Sequence, residues 1–292
     1  ALPKAKAEAA ELQKLMDQAG KGEKLEAWDW WYYTEKLRKE KYDLEEDQIK
    51  PYFKLENVRE GAFAVANKLY GITLTKLNNV PVYHPDVEVF EVKDADGSQL
   101  GIFYVDYFPR AGKSGGAWMS NYREQKGDIR PLVCNVASFT KPVGDTPSLF
   151  TIDEVETLFH EFGHALHKLF SKAKYNGTSH AEWDFVELPS QIMENWATEP
   201  EVLRFYARNY QTGDPIPDHL IRKIHASTLS NQGFATTELA AAALLDMDLH
   251  SITEYKTIDL DAFEQQVLYE KRGLIPQIAP RYRAPYFAHI FN

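Results

Sequence analysis

The chain has 292 residues, enough for one large domain or two ordinary ones at roughly 100–200 residues each, with ample material for a buried core. Its 33 Lys and Arg stand against 43 Asp and Glu, a formal charge of −10, so it lacks the basic field that non-specific binding to nucleic acid or anionic lipid needs. A single cysteine, Cys134, excludes an internal disulfide and any Cys-based zinc cluster, leaving histidines and carboxylates as possible metal ligands.

Residues 1–20 are rich in Ala, Glu, Lys, Leu and Gln, with Leu12, Leu15, Met16 and Ala19 at helical spacing, and Gly20 and Gly22 stop the run. Trp30, Tyr33, Leu37 and Lys41 form a second helical row, and a third pattern covers Leu55 to Tyr70, so residues 1–80 are expected to be helical. After Pro81 the character changes. Val87, Val89 and Phe90, then Ile102, Tyr104 and Val105, make short β-type runs around the turn pair Asp96-Gly97, and Leu132 to Phe139 is another such run. A small antiparallel sheet is expected over residues 81–140. The Gly112 to Gly116 stretch lacks the spacing of a phosphate-binding loop and is expected to be a plain flexible loop. From Thr151 the patterns return to helix, with breaks marked near Pro189, Pro200, Pro215 and Pro217. The fold class expected is mainly α, of the α+β kind, without repeats or linkers.

The longest clearly apolar run, Leu239 to Leu245, is far short of the approximately 20 residues that a bilayer crossing takes, so no membrane partner is expected. No signal-peptide pattern opens the chain. The cytoplasm is the expected compartment, with a periplasmic or secreted location left open if a leader has been removed.

The chemistry concentrates in one segment. Val155, Leu158, Phe159, Phe162, Leu166, Leu169 and Phe170 repeat at spacings of three and four, and Thr151 with Glu154 has the form of a capping box at the start of a helix. Within that helix lies His160-Glu161-x-x-His164. At 3.6 residues per turn both imidazoles face one way and can converge on one ion, with Glu161 projecting beside them. Zinc would lower the pKa of a water there to about 7, and Glu161 could accept the water's proton during attack on an amide carbonyl and pass it to the leaving amine. This composition would yield roughly 0.02 chance matches to the five-residue pattern. Catalytic zinc takes a third protein ligand, and no histidine follows at the short metzincin spacing. Glu182, Asp184, Glu187 and Glu194 are the carboxylates within reach downstream, and spacing alone does not choose among them. His167 lies about two turns from His160, roughly 10 Å along the axis and too far to share the ion. Packing or contact with substrate is expected of it.

Several segments together resemble the thimet oligopeptidase and neurolysin family of zinc peptidases, most of all its bacterial peptidyl-dipeptidases. They are Phe159-His-Glu-Phe-Gly-His-Ala-Leu-His167, Asp184-Phe-Val-Glu-Leu-Pro-Ser-Gln191 with Glu194-Asn-Trp196, Gly115-Gly-Ala-Trp-Met119, and Pro280-Arg-Tyr-Arg283 followed by Tyr286-Phe-Ala-His-Ile-Phe291. The resemblance implies one catalytic region over residues 1–292, holding one zinc ion on His160, His164 and Glu187, with Glu161 as general base and His289 near the substrate. It suggests Glu156 and Asp184, and less directly Glu194, as carboxylates that orient the ligand histidines. It implies a channel for short peptides and the release of C-terminal dipeptides; internal cleavage of oligopeptides is the alternative. Family members extend further on both sides, and a Gly-rich loop with tyrosines follows the position of His289. The expectation is therefore a portion of a catalytic region, and without those tyrosines a loss of roughly a hundredfold in rate. A zinc- or peptide-binding module without turnover is the rival reading, and oligomeric state leaves no mark in the sequence.

Overall fold

The computed structural model describes residues 1–287 apart from 21, 176, 229 and 256. In chain order its helices and strands are α1 (Leu2–Gln18), α2 (Trp30–Tyr42), α3 (Glu46–Ile49), α4 (Leu55–Tyr70), β1 (Thr73–Leu77), β2 (Glu88–Lys93), β3 (Gln99–Asp106), β4 (Trp118–Arg123), β5 (Leu132–Val136), α5 (Ile152–Leu169), α6 (Leu188–Ala197), α7 (Pro200–Tyr206), α8 (Asp218–Ser227), α9 (Gln232–His250) and α10 (Leu260–Glu264). Helix dominates, as the periodicity predicts. The chain divides into two compact units, one made of Ala1–Leu44 with the stretch from Ala226 onward, the other of Glu45–His225.

In the first unit α1 packs on α9 and α2 around Leu12, Met16, Trp30, Tyr33, Phe234 and Leu245. Trp30 and Tyr33, read from the sequence as one helical row, are both buried there. Trp30 stacks on Phe234 with ring centroids 4.6 Å apart, and its indole N–H donates to Asn231 Oδ1 at 2.8 Å. The N-terminus of α9 is capped from outside its own sequence. Glu8 accepts the backbone N–H groups of Gly233 and Phe234 at 3.0 and 2.8 Å, which satisfies two donors that an α-helix leaves unpaired and places a carboxylate at its positive end.

The second unit holds the sheet, in the order β1-β2-β3-β5-β4. The hairpin at Asp96-Gly97 forms as expected: β2 and β3 pair antiparallel, and Gly97 takes the positive φ (84°) that its turn requires. The sheet is mixed, however, and the expectation of an antiparallel one is corrected by β5, which lies parallel to β3 from Ile102↔Leu132 to Asp106↔Val136. Loop 107–117 carries the chain past that position to β4, and β5 returns into the gap. There it is buried on both faces, the environment that favours a continuous apolar run such as Leu-Val-Cys-Asn-Val over strict alternation. The polar β4 is left at the edge. β1 falls inside the stretch expected to be helical, because the alternating Thr73-Leu-Thr-Lys-Leu77 pairs with β2 once Gly71 has ended α4 in a left-handed turn.

Alternate residues of β3 face α5. Phe103 meets Phe162 at 5.7 Å between ring centroids, and Phe63 of α4 lies 5.4 Å from Phe162. The capping box forms in both directions: Glu154 N–H donates to Thr151 Oγ1 at 3.1 Å, and Thr151 N–H donates to Glu154 Oε2 at 3.0 Å. At the other end of α5, Arg130 donates to the carbonyls of Leu169 (2.7 Å) and Leu100 (2.7 Å), so one guanidinium satisfies a helix end and ties it to the sheet.

Candidate metal centre

Burial of Val155, Leu158, Phe159, Phe162 and Leu166 fixes the rotation of α5 and turns His160 and His164 out toward α6. Glu187 stands immediately before α6, whose first turn carries Pro189, a residue with no N–H to lose there. This packing brings three donor atoms together. Glu187 Oε2 lies 3.2 Å from His160 Nε2 and 3.2 Å from His164 Nε2, and the three form the group able to hold a metal ion among the described residues. Ligands at the 2.0–2.1 Å of zinc–nitrogen and zinc–oxygen bonds in tetrahedral array stand about 3.3 Å apart, so the observed spacing fits such an ion.

Glu161, next to His160 in α5, is only 7% exposed, and among the described residues its Oε2 has no hydrogen-bond partner. Burial, countered by His160 and reinforced by Glu187, pushes its carboxyl up to about 7. An orphaned carboxylate oxygen is costly unless a ligand or water completes it, and its place beside the donor cluster makes it a proton acceptor in waiting.

On the far side of His160, Nδ1 lies 2.5 Å from Glu194 Oε1. A carboxylate there makes Nδ1 the protonated nitrogen and leaves the Nε2 lone pair free on the side of Glu187. Burial disfavours the His160 cation, but Glu194, with Glu161 and Glu187, overrides it and raises the pKa; for His164 burial prevails over Glu187 and lowers it. The other carboxylates named from the sequence are placed differently. Glu156 makes no hydrogen bond to either histidine among the described residues, and burial with the charges of Asp153 and Glu194 pushes its carboxyl up to about 7. Asp184 is exposed and likewise makes none. His289 lies outside the described residues. His167 faces Phe185, ring centroids 6.4 Å apart, and is not one of the three converging donors.

Two contributors escape a reading of residue types. Ser190 is wholly buried, and its hydroxyl lies 2.8 Å from both the carbonyl oxygen and Oε2 of Glu187. A cavity of about 330 Å³ opens beside His164 and is lined in part by Asn121, Glu124, His167, Lys168 and Trp183. The signal for Ser190 was its place three residues after Glu187; nothing in the sequence marked the cavity.

The model of peptidase family M3 matches residues 1–292. The chain belongs to that family. Among its relatives the chain is 47% identical to a dipeptidyl carboxypeptidase of Escherichia coli K12, over 98% of this chain and 43% of that protein. It is 37% identical to oligopeptidase A of the same organism, over 100% of the chain and 44% of the relative, and 31% identical to a mitochondrial intermediate peptidase of Yarrowia lipolytica, over 100% and 42%. The chain thus spans less than half the length of these M3 relatives. Among the described residues no helix is long and apolar enough to cross a membrane.

Proposed function

We propose that this chain is the metal-holding part of a zinc-dependent peptidase that acts on short peptides and releases dipeptides from their C-termini. The observation that carries the reading is the convergence of His160 Nε2, His164 Nε2 and Glu187 Oε2 at zinc-ligand spacing beside Glu161, whose Oε2 has no hydrogen-bond partner among the described residues. His160, His164 and Glu187 would hold the ion. Zinc in that position supplies a positive charge that polarises a peptide carbonyl and makes water a stronger acid. Glu161 takes the proton of the attacking water and delivers it to the nitrogen of the departing amine, which needs one proton to leave. Glu194 holds the His160 ring in the tautomer that keeps Nε2 available. Greater identity to a dipeptidyl carboxypeptidase than to oligopeptidase A supports dipeptide release over internal cleavage. The similarity to oligopeptidase A keeps internal cleavage as the second reading.

Elemental analysis and a peptidase assay on the purified chain, with Glu161→Gln prepared identically, test this. The expected result is near one zinc in both, with chelator-sensitive turnover only in the parent. Zinc in both with no turnover in either would point to a binding module, and no zinc in the parent would remove the metal reading. Mass analysis of products from an N-blocked pentapeptide separates the two cleavage modes, since dipeptide release leaves the blocked tripeptide.

A further inference from the structure

The three-donor site depends on a close approach of two helices, and the approach runs through one residue. A Cβ placed on Gly163 would lie 2.5 Å from Pro189 O, 2.7 Å from Ser190 Cα and 3.0 Å from Pro189 C. All three are backbone atoms of the first turn of α6, so no side-chain rotation could relieve the contact. Ordinary contact begins near 3.4 Å, so any side chain at position 163 would drive the start of α6 away by roughly 1 Å. Glu187 sits directly before that turn. Its carbonyl accepts the Gln191 N–H at 2.9 Å and lies 2.8 Å from Ser190 Oγ, so it must travel with α6. The same Ser190 hydroxyl lies 2.8 Å from Oε2, the oxygen that stands 3.2 Å from each histidine nitrogen.

We infer that Gly163 and Ser190 are positioning residues for the metal site: Gly163 sets the distance from α5 at which Glu187 stands, and Ser190 fixes where its carboxylate points. The inference rests on the three-ligand reading above. Neither residue belongs to the three-donor set. Each acts through Glu187, and a displacement near 1 Å would take a donor set at 3.2 Å out of the range that one small ion can bridge.

The test is zinc affinity, by competition with a chromophoric chelator, for the full chain as parent, Gly163→Ala and Ser190→Ala, with the melting of each measured in excess chelator to report folding apart from metal. Gly163→Ala should bind zinc about a hundredfold more weakly and Ser190→Ala about tenfold, both retaining cooperative metal-free melting. In Gly163→Ala the ratio of zinc to cadmium affinity should also fall, because the larger ion bridges a wider donor set and a general loss of stability would not change selectivity. Parent-like zinc affinity in either folded variant overturns the assignment of that residue. If Gly163→Ala does not melt cooperatively, Ser190→Ala decides, since it removes a hydroxyl without adding bulk. A parent that binds no zinc would instead bring down the metal reading itself.

Discussion

His160 is approached by a carboxylate on each side of its ring, Glu187 on Nε2 and Glu194 on Nδ1, and the two are read by opposite demands on the same imidazole. Glu194 must accept the hydrogen bond of the Nδ1–H group for Nε2 to offer a lone pair. Glu194→Ala should therefore weaken zinc binding by about 10–100-fold, while Glu194→Gln, which keeps an acceptor oxygen but no charge, should fall between parent and Ala. Chelator competition measures this, and an Ala variant that binds as tightly as the parent would deny Glu194 an orienting role. At this scale the sequence was legible in part. His160-Glu161-x-x-His164 announces its geometry because the helix period is fixed, but Glu187 and Glu194 lie about two turns apart on nearly one face of the second helical segment, and only the packing of α6 on α5 decides which side of the ring each meets. Asp184, three residues before Glu187, drew attention by spacing, yet it precedes α6 in non-helical chain and stands in solvent. Gly163 had no sequence signal of its own, since its constraint comes from backbone at Pro189 and Ser190.

Among the elements, α5 was the most readable: its apolar repeat, capping box and position were all present in local sequence, and the structure forms both capping hydrogen bonds. The sheet was less so, because whether β5 pairs parallel or antiparallel depends on where a loop delivers it. That loop, expected to be a plain flexible one, is anchored through one side chain. The side chain of Lys113 within it is only 4% exposed, and its ammonium donates to Asp106 Oδ1 (3.0 Å) and to the carbonyls of Asp106 (2.8 Å), Phe108 (2.7 Å) and Ala137 (2.5 Å). Burial lowers the Lys113 pKa and Asp106 opposes it; with four oxygens around Nζ the ammonium is the form that fits. Asp106, 1% exposed at the end of β3, also takes a bidentate pair from Arg110 at 2.7 and 2.8 Å and the Tyr83 hydroxyl at 2.8 Å. Burial pushes its carboxyl up, but hydrogen bonds from Arg110, Lys113 and Tyr83 outweigh it and bring it down from 3.8 to about 2. A carboxyl more acidic in the folded state than in the unfolded one stabilises fully above its unfolded value. That contribution, roughly 2 kcal/mol, is withdrawn as pH falls from about 4 to about 2. Urea unfolding across that range should show Asp106→Asn losing less stability than the parent, and parallel pH profiles for the two would contradict the network's role.

For the molecule as a whole, two of the proposed ligands belong to α5 and the third stands at the head of α6, so no site exists in the unfolded chain and any ion held there must stabilise the folded one. At a free zinc concentration a thousandfold above the dissociation constant the linkage amounts to about 4 kcal/mol. The unit that carries the site, Glu45–His225, is of a size for which each kcal/mol moves the midpoint by about 2–4 °C. Removing the metal with a chelator should therefore lower its melting temperature by about 10 °C, followed by calorimetry, and re-addition of zinc should restore it. Glu187→Ala supplies the internal comparison: it should melt near the metal-free parent and respond to neither chelator nor zinc. A parent whose melting is indifferent to both, while zinc remains bound by analysis, would place the ion on surface groups that do not need the fold, and the convergence of α5 and α6 would then have to serve packing alone.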